Sequence, residues 1–230
     1  MWEKRTDEYV EALCKEIRET AFLMQGRKLD TIYIGGGTPT TLLPHQLRKL
    51  LDTLGEAFGY EGLAEFPLAA GRPDSLPREK LQAIRESPVT RTSVNPPTMT
   101  QHPLEPIRRR HTVEQTREAF YLARELGYDN INMDLIVGLP GEDISMVERT
   151  LEQIQELAPD SMTVHSLAVK RAARLNIFKA KYLAKSLENT QEIMDLTLKT
   201  AYAMGMGPYY LSRQKNKTGN FEYVGYAKVD

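Results

Sequence analysis

The sequence predicts an α/β protein with a parallel β-sheet, and three observations support this prediction. Short apolar, β-rich runs alternate with segments in which apolar residues recur every three or four positions. Each predicted strand ends in a turn rich in glycine, proline or asparagine. The 230 residues suffice for one domain, or for one domain and part of another. An open or partial TIM-like barrel and a doubly wound sheet both fit this alternation.

The first half of the chain predicts four helices and three strands. A stripe of Val10, Leu13 and Ile17 marks the first helix, and Pro44 and Pro77 stand at first-turn positions where a missing N–H costs nothing. The predicted elements are a helix over residues 6–25, a strand over 31–34, a helix from 44, a strand over 63–69, a helix from 77, a strand over 89–94 and a helix over 112–126.

The second half continues the same alternation, which favours right-handed β-α-β units. Thr112 is the predicted N-cap and Gly127 the predicted C-cap of the helix between them. The later elements are a strand over residues 130–137, a helix over 143–157, a strand over 161–165, a helix over 187–204 and a short strand over 209–211.

Composition excludes several classes of function. Thirty basic against 31 acidic side chains give a net charge of −1, which argues against electrostatic binding of nucleic acid. No run approaches the ~18 apolar residues of a membrane helix, and no apolar segment of a secretory signal follows Met1, so we expect a cytoplasmic protein without membrane contact. The single Cys14 excludes an intrachain disulfide and a multi-cysteine metal site, and we interpret it as a small, partly buried apolar residue.

The sharpest local motif is Gly35-Gly36-Gly37-Thr38, directly after a predicted strand. Glycines allow the backbone to approach a ligand closely and to present its N–H or C=O groups. The spacing matches neither a Walker loop nor a dinucleotide-binding fingerprint. The alternative interpretation is a tight strand-to-helix turn.

Asp134 lies inside an otherwise apolar strand, where a carboxylate needs a polar cavity or a partner. Asn132 shares its strand face because strand side chains alternate with a period of two. This face is therefore predicted to line a ligand site. The alternative is an acid paired with a basic loop residue.

Other polar clusters follow predicted strands, and each has a structural alternative. The basic run Arg108-Arg109-Arg110 can reach an anion or form a solvated turn. Arg72 can serve a site or simply contact Asp74. His165 can join Lys170, Arg171 and Arg174 in binding an acidic substrate or act as a structural hydrogen-bonding group, and residues 209–216 either line a site or form an exposed edge.

Together, these segments resemble radical S-adenosylmethionine (SAM) enzymes of the oxygen-independent coproporphyrinogen III dehydrogenase type, with the HemZ branch most similar. The glycine-rich segment TIYIGGGTPTTL at residues 31–42 begins the likeness. The further matching stretches are 70–74 (AGRPD), 93–96 (SVNP), 130–142 (NINMDLIVGLPGE), 163–171 (TVHSLAVKR), 213–216 (RQKN), 219–222 (GNFE) and 224–227 (VGYA).

The resemblance implies a partial (β/α)6 barrel of the radical SAM type over residues 1–208, lacking the first strand and cluster loop, and the start of a C-terminal extension over 209–230. SAM and, in the complete protein, a 4Fe–4S cluster would generate a 5′-deoxyadenosyl radical. With an electron donor, that radical would begin the oxidative decarboxylation of a propionate of coproporphyrinogen III. The implied cofactor-binding residues are Gly36, Gly37, Thr38, Asn95, Arg109 and Asp134.

Specific roles follow from the same likeness. The glycine loop and Thr38 would contact the methionine end of SAM, Arg109 its carboxylate region, and Asp134 the ribose or its surroundings. The family pattern differs at Ala69, where it has an acid, at Arg108, where it has glycine, and at Pro97, where glutamine is frequent.

The family's cluster motif, Cys-x3-Cys-x2-Cys, would precede this sequence, and one thiolate cannot hold three irons. We therefore expect a piece shortened at both ends, without metal ligands or catalytic residues, and inactive as it stands. Two alternatives remain open: a non-catalytic barrel that binds SAM or haem, like the haem-chaperone branch, and an unrelated phosphate-binding barrel.

Overall fold

The computed structural model describes residues 3–101, 103, 111–167, 189–212 and 221–228. Its helices are α1 (Glu3–Leu23), α2 (Pro44–Phe58), α3 (Arg78–Arg85), α4 (Val113–Glu125), α5 (Ile144–Leu157) and α6 (Gln191–Ala203). Its strands are β1 (Pro67–Leu68), β2 (Arg91–Ser93), β3 (Ile131–Val137), β4 (Ser161–Ser166), β5 (Met206–Ser212) and β6 (Tyr223–Lys228). None of the described helices is both long and apolar enough to cross a membrane.

The chain divides into two compact units. The first comprises Met1–Ser93 and Tyr121–Asp129, and the second comprises Val94–Phe120 and Asn130–Asp230. In the first unit α1 packs on α2, and their contact buries Cys14 completely, with the Thr53 hydroxyl donating to Sγ at 3.3 Å. Cys14 is therefore a small core residue, as predicted, but its burial is complete where the sequence predicted partial burial.

The strands of the first unit are short but parallel. Strands β1 and β2 pair through Pro67 with Arg91 and Leu68 with Thr92. The predicted strand over 31–34 forms only isolated parallel bridges, from Thr31 to Glu65 and from Ile34 to Leu68. An extended segment is present as predicted, but its ladder is too short to count as a regular strand.

The second unit contains a mixed sheet in the strand order β3-β4-β6-β5. Strand β3 pairs with β4 in parallel, whereas β4–β6 and β6–β5 are antiparallel. The prediction of a wholly parallel sheet is therefore wrong for the last two strands. The alternation of helices and strands could not predict β6, because the sequence of residues 213–222, between β5 and β6, has no helical periodicity.

The helix termini follow the chemistry of the sequence. Thr112 caps α4 through a reciprocal pair of bonds: Gln115 N donates to Thr112 Oγ1 at 3.1 Å, and Thr112 N donates to Gln115 Oε1 at 2.9 Å. Asp143 caps α5 by accepting from Met146 N at 2.9 Å. Gly127 has φ +85°, as expected for the C-terminal glycine of α4.

Strand β3 positions the candidate polar face. Its residues alternate between buried and half-buried along the whole strand. Ile131, Met133, Leu135 and Val137 are buried, which leaves Asn132, Asp134 and Ile136 on the opposite, half-buried face. The predicted common face of Asn132 and Asp134 is therefore confirmed.

Candidate functional site

The glycine loop of the first unit owes its shape to one residue. Gly36 has φ +102°, a region that L-residues rarely adopt. A Cβ on Gly36 or Gly37 would meet no atom within 4 Å, so the space beside both is open. At Gly35, by contrast, the ring of Tyr33 occupies the position of a side chain. The loop therefore presents bare backbone at Gly36 and Gly37, as a ligand-contacting loop requires.

Thr40 holds this loop in place, a role that the sequence did not reveal. Its side chain is completely buried, and its hydroxyl donates to Ala70 O at 2.6 Å and lies 2.7 Å from Ser75 Oγ. Lys80 Nζ donates to Thr40 O at 2.5 Å, and burial lowers the pKa of this lysine. These bonds fix the end of the loop to the segment after β1 and to α3.

A cavity of about 670 Å³ adjoins the loop within the first unit. Gly35, Gly37 and Thr38 line it together with Tyr9 and Leu13 of α1. The glycine loop therefore borders a space large enough for a small molecule.

Of the two interpretations of Arg72, the structure supports the local contact. Its Nε donates to Asp74 Oδ1 at 3.0 Å, and its Nη2 donates to Asp74 Oδ2 at 2.5 Å. This bidentate pair raises the pKa of Arg72, with the hydrogen bond to Asp74 as the largest cause. The guanidinium is therefore occupied within its own turn.

The second unit carries a hydrogen-bonded polar network centred on Asn132. Its Nδ2 donates to Asp134 Oδ1 at 2.6 Å, and its Oδ1 accepts from Ser161 at 3.0 Å and from Thr163 at 3.1 Å. The alternative of a basic loop partner for Asp134 is not what the described residues show. An amide holds this carboxylate in a fixed orientation, which suits a group that receives hydroxyl donors from a ligand.

Asn95 lies on the segment that runs beside β3. Val94 N donates to Asn132 O at 2.9 Å, and Ile136 N donates to Pro97 O at 2.8 Å. The Oδ1 atom of Asn95 is buried and has no hydrogen-bond partner among the described residues. A buried amide oxygen without a donor is costly, so this atom marks a place where a ligand donor would be favourable.

Glu142 is a half-buried acid, at the end of the 130–142 stretch, for which the sequence predicted no role. Its Oε2 accepts from Leu139 N at 3.3 Å, and the Thr98 side chain and the Gly138 backbone also hydrogen-bond it. Burial raises its pKa to about 7 in spite of these bonds. The carboxyl group thereby ties the turn after β3 to the segment around Thr98.

Several predicted site residues lie outside the described part of the chain. They are Arg108, Arg109, Arg110, Lys170, Arg171, Arg174 and residues 213–216. His165 lies in β4, and its ring stacks on Tyr223 with centroids 4.3 Å apart. The structure thus brings Asn95 and Asp134 onto adjoining segments of the second unit, whereas Gly36, Gly37 and Thr38 belong to the first.

In the second unit, the orphaned Asn95 oxygen and the oriented Asp134 carboxylate fit donor groups such as the amino and hydroxyl groups of SAM. In the first unit, the open backbone at Gly36 and Gly37 allows close approach of a ligand. A 4Fe–4S cluster does not fit, because the only thiol is completely buried against Thr53. No cluster of metal-ligating side chains occurs among the described residues.

The chain resembles known proteins of one kind. It is 40% identical over 201 residues to the oxygen-independent coproporphyrinogen-III oxidase-like protein HemZ of Bacillus subtilis, covering 87% of this chain and 40% of HemZ. It is 34% identical over 209 residues to the heme chaperone HemW of the same organism, covering 90% of this chain and 55% of HemW. The chain thus spans about half the length of these relatives.

The structure resembles that of coproporphyrinogen III oxidase HemN from Escherichia coli, a radical SAM enzyme. The TM-score is 0.80 at 25% identity, and the match covers 98% of this chain and 49% of HemN. The predicted α/β fold of the radical SAM type is therefore confirmed. Residues 2–154, about two thirds of the chain, match the radical SAM superfamily, and the chain belongs to that superfamily.

Proposed function

We propose that these residues form the SAM-binding core of a cytoplasmic protein that acts on a tetrapyrrole, of the coproporphyrinogen dehydrogenase type. The 40% identity to HemZ and the structural likeness to HemN support a tetrapyrrole as the substrate. The observation that carries the proposal for the cofactor is the buried, unpartnered Oδ1 of Asn95 beside the strand of Asp134.

The residues of this chain would bind and orient SAM. Backbone groups at Gly36 and Gly37, together with Thr38 and with Arg109, would hold its methionine end. Asp134, oriented by Asn132, would accept from the ribose hydroxyls, and Asn95 would accept a donor near the same group. Bound SAM supplies the carbon-centred radical of this family when a cluster reduces it.

The described residues do not fit a 4Fe–4S cluster, because their single thiol is buried. In a complete protein of this type, with an electron donor, the reaction would be the oxidative decarboxylation of propionate side chains to vinyl groups. For the 230 residues alone, we expect ligand binding without turnover. After anaerobic reconstitution with iron and sulfide, they should remain colourless.

A second candidate function is haem binding without catalysis. The 34% identity to HemW over 90% of this chain favours it, since HemW is named a heme chaperone. The two functions differ in what they predict for binding. A SAM-dependent enzyme core binds SAM, whereas a carrier of haem binds haem whether or not SAM is present.

The test is calorimetric titration of the chain with SAM. Asp134→Ala should weaken SAM binding by about 1–3 kcal/mol, roughly 5- to 150-fold, because ligand hydroxyls lose their carboxylate acceptor. The matched control is Asp129→Ala, which removes an exposed carboxylate five residues earlier and should leave the affinity unchanged.

Unchanged affinity in Asp134→Ala would remove that residue from the site. If the wild-type chain binds haem tightly and SAM not at all, the result would contradict a SAM-binding enzyme core and support a haem carrier.

A further inference from the structure

Glu142 is an acid of the second unit that the proposed binding of SAM does not use. It ends the turn after β3, which Gly138 and Gly141 fold tightly with φ +79° and +77°. The turn brings the Glu142 side chain back to its own beginning, where Oε2 accepts from Leu139 N at 3.3 Å and Glu142 N donates to Leu139 O at 3.0 Å. The backbone therefore fixes the place of this carboxyl group.

A chain of buried hydroxyls leads away from the carboxyl group. The Thr98 side chain hydrogen-bonds Glu142, and Thr98 Oγ1 lies 3.0 Å from Thr150 Oγ1 on α5. Thr150 Oγ1 lies 3.4 Å from Thr100 Oγ1, which donates to Met146 O at 3.4 Å. Thr98 is 1% exposed and Thr150 is 4% exposed, so these two hydroxyls depend on protein groups for their hydrogen bonds.

This chain has two complete proton arrangements, because each hydroxyl carries one proton. When Glu142 is ionised, Thr98 donates to it and Thr150 donates to Thr98. When Glu142 is protonated, Thr98 can donate to Thr150, and Thr150 can donate to Thr100. Neither arrangement leaves a buried hydroxyl unpaired, so the carboxyl group can gain or lose a proton without a change of fold.

Among the described residues, Glu142 has an acid but no cation beside it. Burial disfavours its ionised form most strongly and the neighbouring Asp143 adds to this, so that the pKa of Glu142 is about 7. On α5, Arg149 acts on Asp143 and not on Glu142. The segments that contact the carboxyl group, residues 97–99 and 138–141, contain no titratable side chain. A positive charge brought near Glu142 would therefore meet a carboxyl group that still holds its proton in half of the molecules.

Glu142 adjoins the candidate cofactor site through the segment of Asn95. Thr98, which hydrogen-bonds Glu142, follows the unpartnered amide oxygen of Asn95 by three residues, a span of at most about 10 Å. The strand of Asp134 runs directly into the turn that Glu142 ends. Charges act on one another over about 10 Å. A cation bound beside Asn95 would therefore favour the ionised form of Glu142.

We infer that Glu142 makes the candidate site selective for a positively charged ligand, by releasing its proton to solvent when a cation such as the sulfonium of SAM binds beside Asn95. This inference rests on the proposed function and adds to it a specificity-determining residue. It accounts for an acid in a turn that backbone hydrogen bonds alone could close. It also accounts for the hydroxyls beside the carboxyl group, which adapt to either of its charge states.

The experiment is calorimetric titration of the chain with SAM in two buffers of different ionisation enthalpy, which counts the protons released on binding. Because half of the Glu142 side chains are protonated at pH 7, wild type should release about 0.5 proton for each SAM bound. SAM affinity should rise about fivefold from pH 6 to pH 8. S-adenosylhomocysteine, which lacks the sulfonium charge, is titrated in parallel and should release less than about 0.1 proton.

Three variants assign the proton. Glu142→Gln keeps an acceptor but has no proton to release, so its release with SAM should fall below about 0.1, and its preference for SAM over S-adenosylhomocysteine at pH 8 should fall about threefold or more. The matched control is Glu148→Gln, which removes an exposed acid of α5 and should behave as wild type. Thr98→Val removes a donor to the ionised carboxylate and should move the midpoint of the pH profile of SAM affinity upward. A role of Thr98 in packing alone would lower affinity at every pH without moving that midpoint.

Proton release that is equal for SAM and S-adenosylhomocysteine, or that persists in Glu142→Gln, would overturn the inference and leave the proposed function intact. Binding of SAM to wild type without proton release would do the same. An unmoved midpoint in Thr98→Val would contradict the part of the hydroxyl chain. Failure of wild type to bind SAM at all would contradict the proposed function, and the inference would fall with it.

Discussion

The glycine loop and the Asn132–Asp134 network are two candidate binding regions that differ in what they present to a ligand. The loop presents backbone, and its shape depends on one positive φ at Gly36 and on the buried Thr40 hydroxyl behind it. The network presents side chains, and its shape depends on strand register and on an amide that fixes a carboxylate. A backbone site is therefore sensitive to residues that never touch the ligand, whereas a side-chain site is sensitive mainly to its own members.

The largest effect that this comparison predicts is at Thr40. Thr40→Val keeps the shape but removes the donor to Ala70 O and the contact with the Ser75 hydroxyl, which keeps its bond to Arg72 O at 2.8 Å. The free energy of unfolding should fall by about 2–3 kcal/mol, and SAM affinity should fall with it. Chemical denaturation and calorimetry measure the two effects.

The control for this change is the neighbouring Thr41→Val. Thr41 is exposed, and its hydroxyl bonds only within the loop, to Thr38 O at 2.8 Å. We expect a loss below about 0.5 kcal/mol there. Equal losses in both variants would show that Thr40 does not anchor the loop.

A smaller effect is expected at Glu142, in the turn after β3. Its pKa is about 7 in the folded chain against an ordinary 4.5, because burial disfavours the charged form. The folded state therefore binds more protons between these values, and stability should fall as pH rises from 4.5 to 7, by about 1–3 kcal/mol. Thermal unfolding across this pH range measures the slope.

Glu142→Gln should flatten this part of the profile, because glutamine keeps an acceptor and does not titrate. Glu152→Gln, which changes an exposed acid on α5, should leave the profile as it is in wild type. A slope that survives in Glu142→Gln would assign it to another group.

The smallest expected effect is the difference in stability between alanine variants of the two loop glycines, Gly36 and Gly37. Gly36→Ala forces a side chain into φ +102° and should cost about 1 kcal/mol of stability. Gly37→Ala has no positive φ to maintain and meets no atom within 4 Å, so it should be neutral or slightly stabilising. Denaturant titration of both variants tests this, and equal losses would contradict it.

The sequence predicted those features of the fold that depend on local chemistry. The N-cap at Thr112, the C-terminal glycine at Gly127 and the common face of Asn132 and Asp134 along β3 are encoded within a few residues, and all three are confirmed. The antiparallel strand β6 was not predicted, because its pairing with β4 joins residues about sixty positions apart, and no helical pattern separates it from its other partner, β5.

The candidate site was predictable to a similar degree. A glycine run and an acid in an apolar strand are visible in the sequence, and so Gly36 and Asp134 could be named. The supporting role of Thr40 could not, because its partners Ala70 and Ser75 meet it only in the folded chain. The raised pKa of Glu142 could not be predicted for the same reason, because it arises from burial that exists only in the folded chain.

Amide hydrogen exchange of the chain with and without SAM tests the proposed cofactor-binding residues in each unit separately. We expect SAM to slow exchange in peptides covering residues 33–39 of the first unit and in those covering 93–98 of the second, and to leave exchange in α6 unchanged. Exchange that SAM leaves unchanged in both segments would show that neither the glycine loop nor the segment of Asn95 binds it.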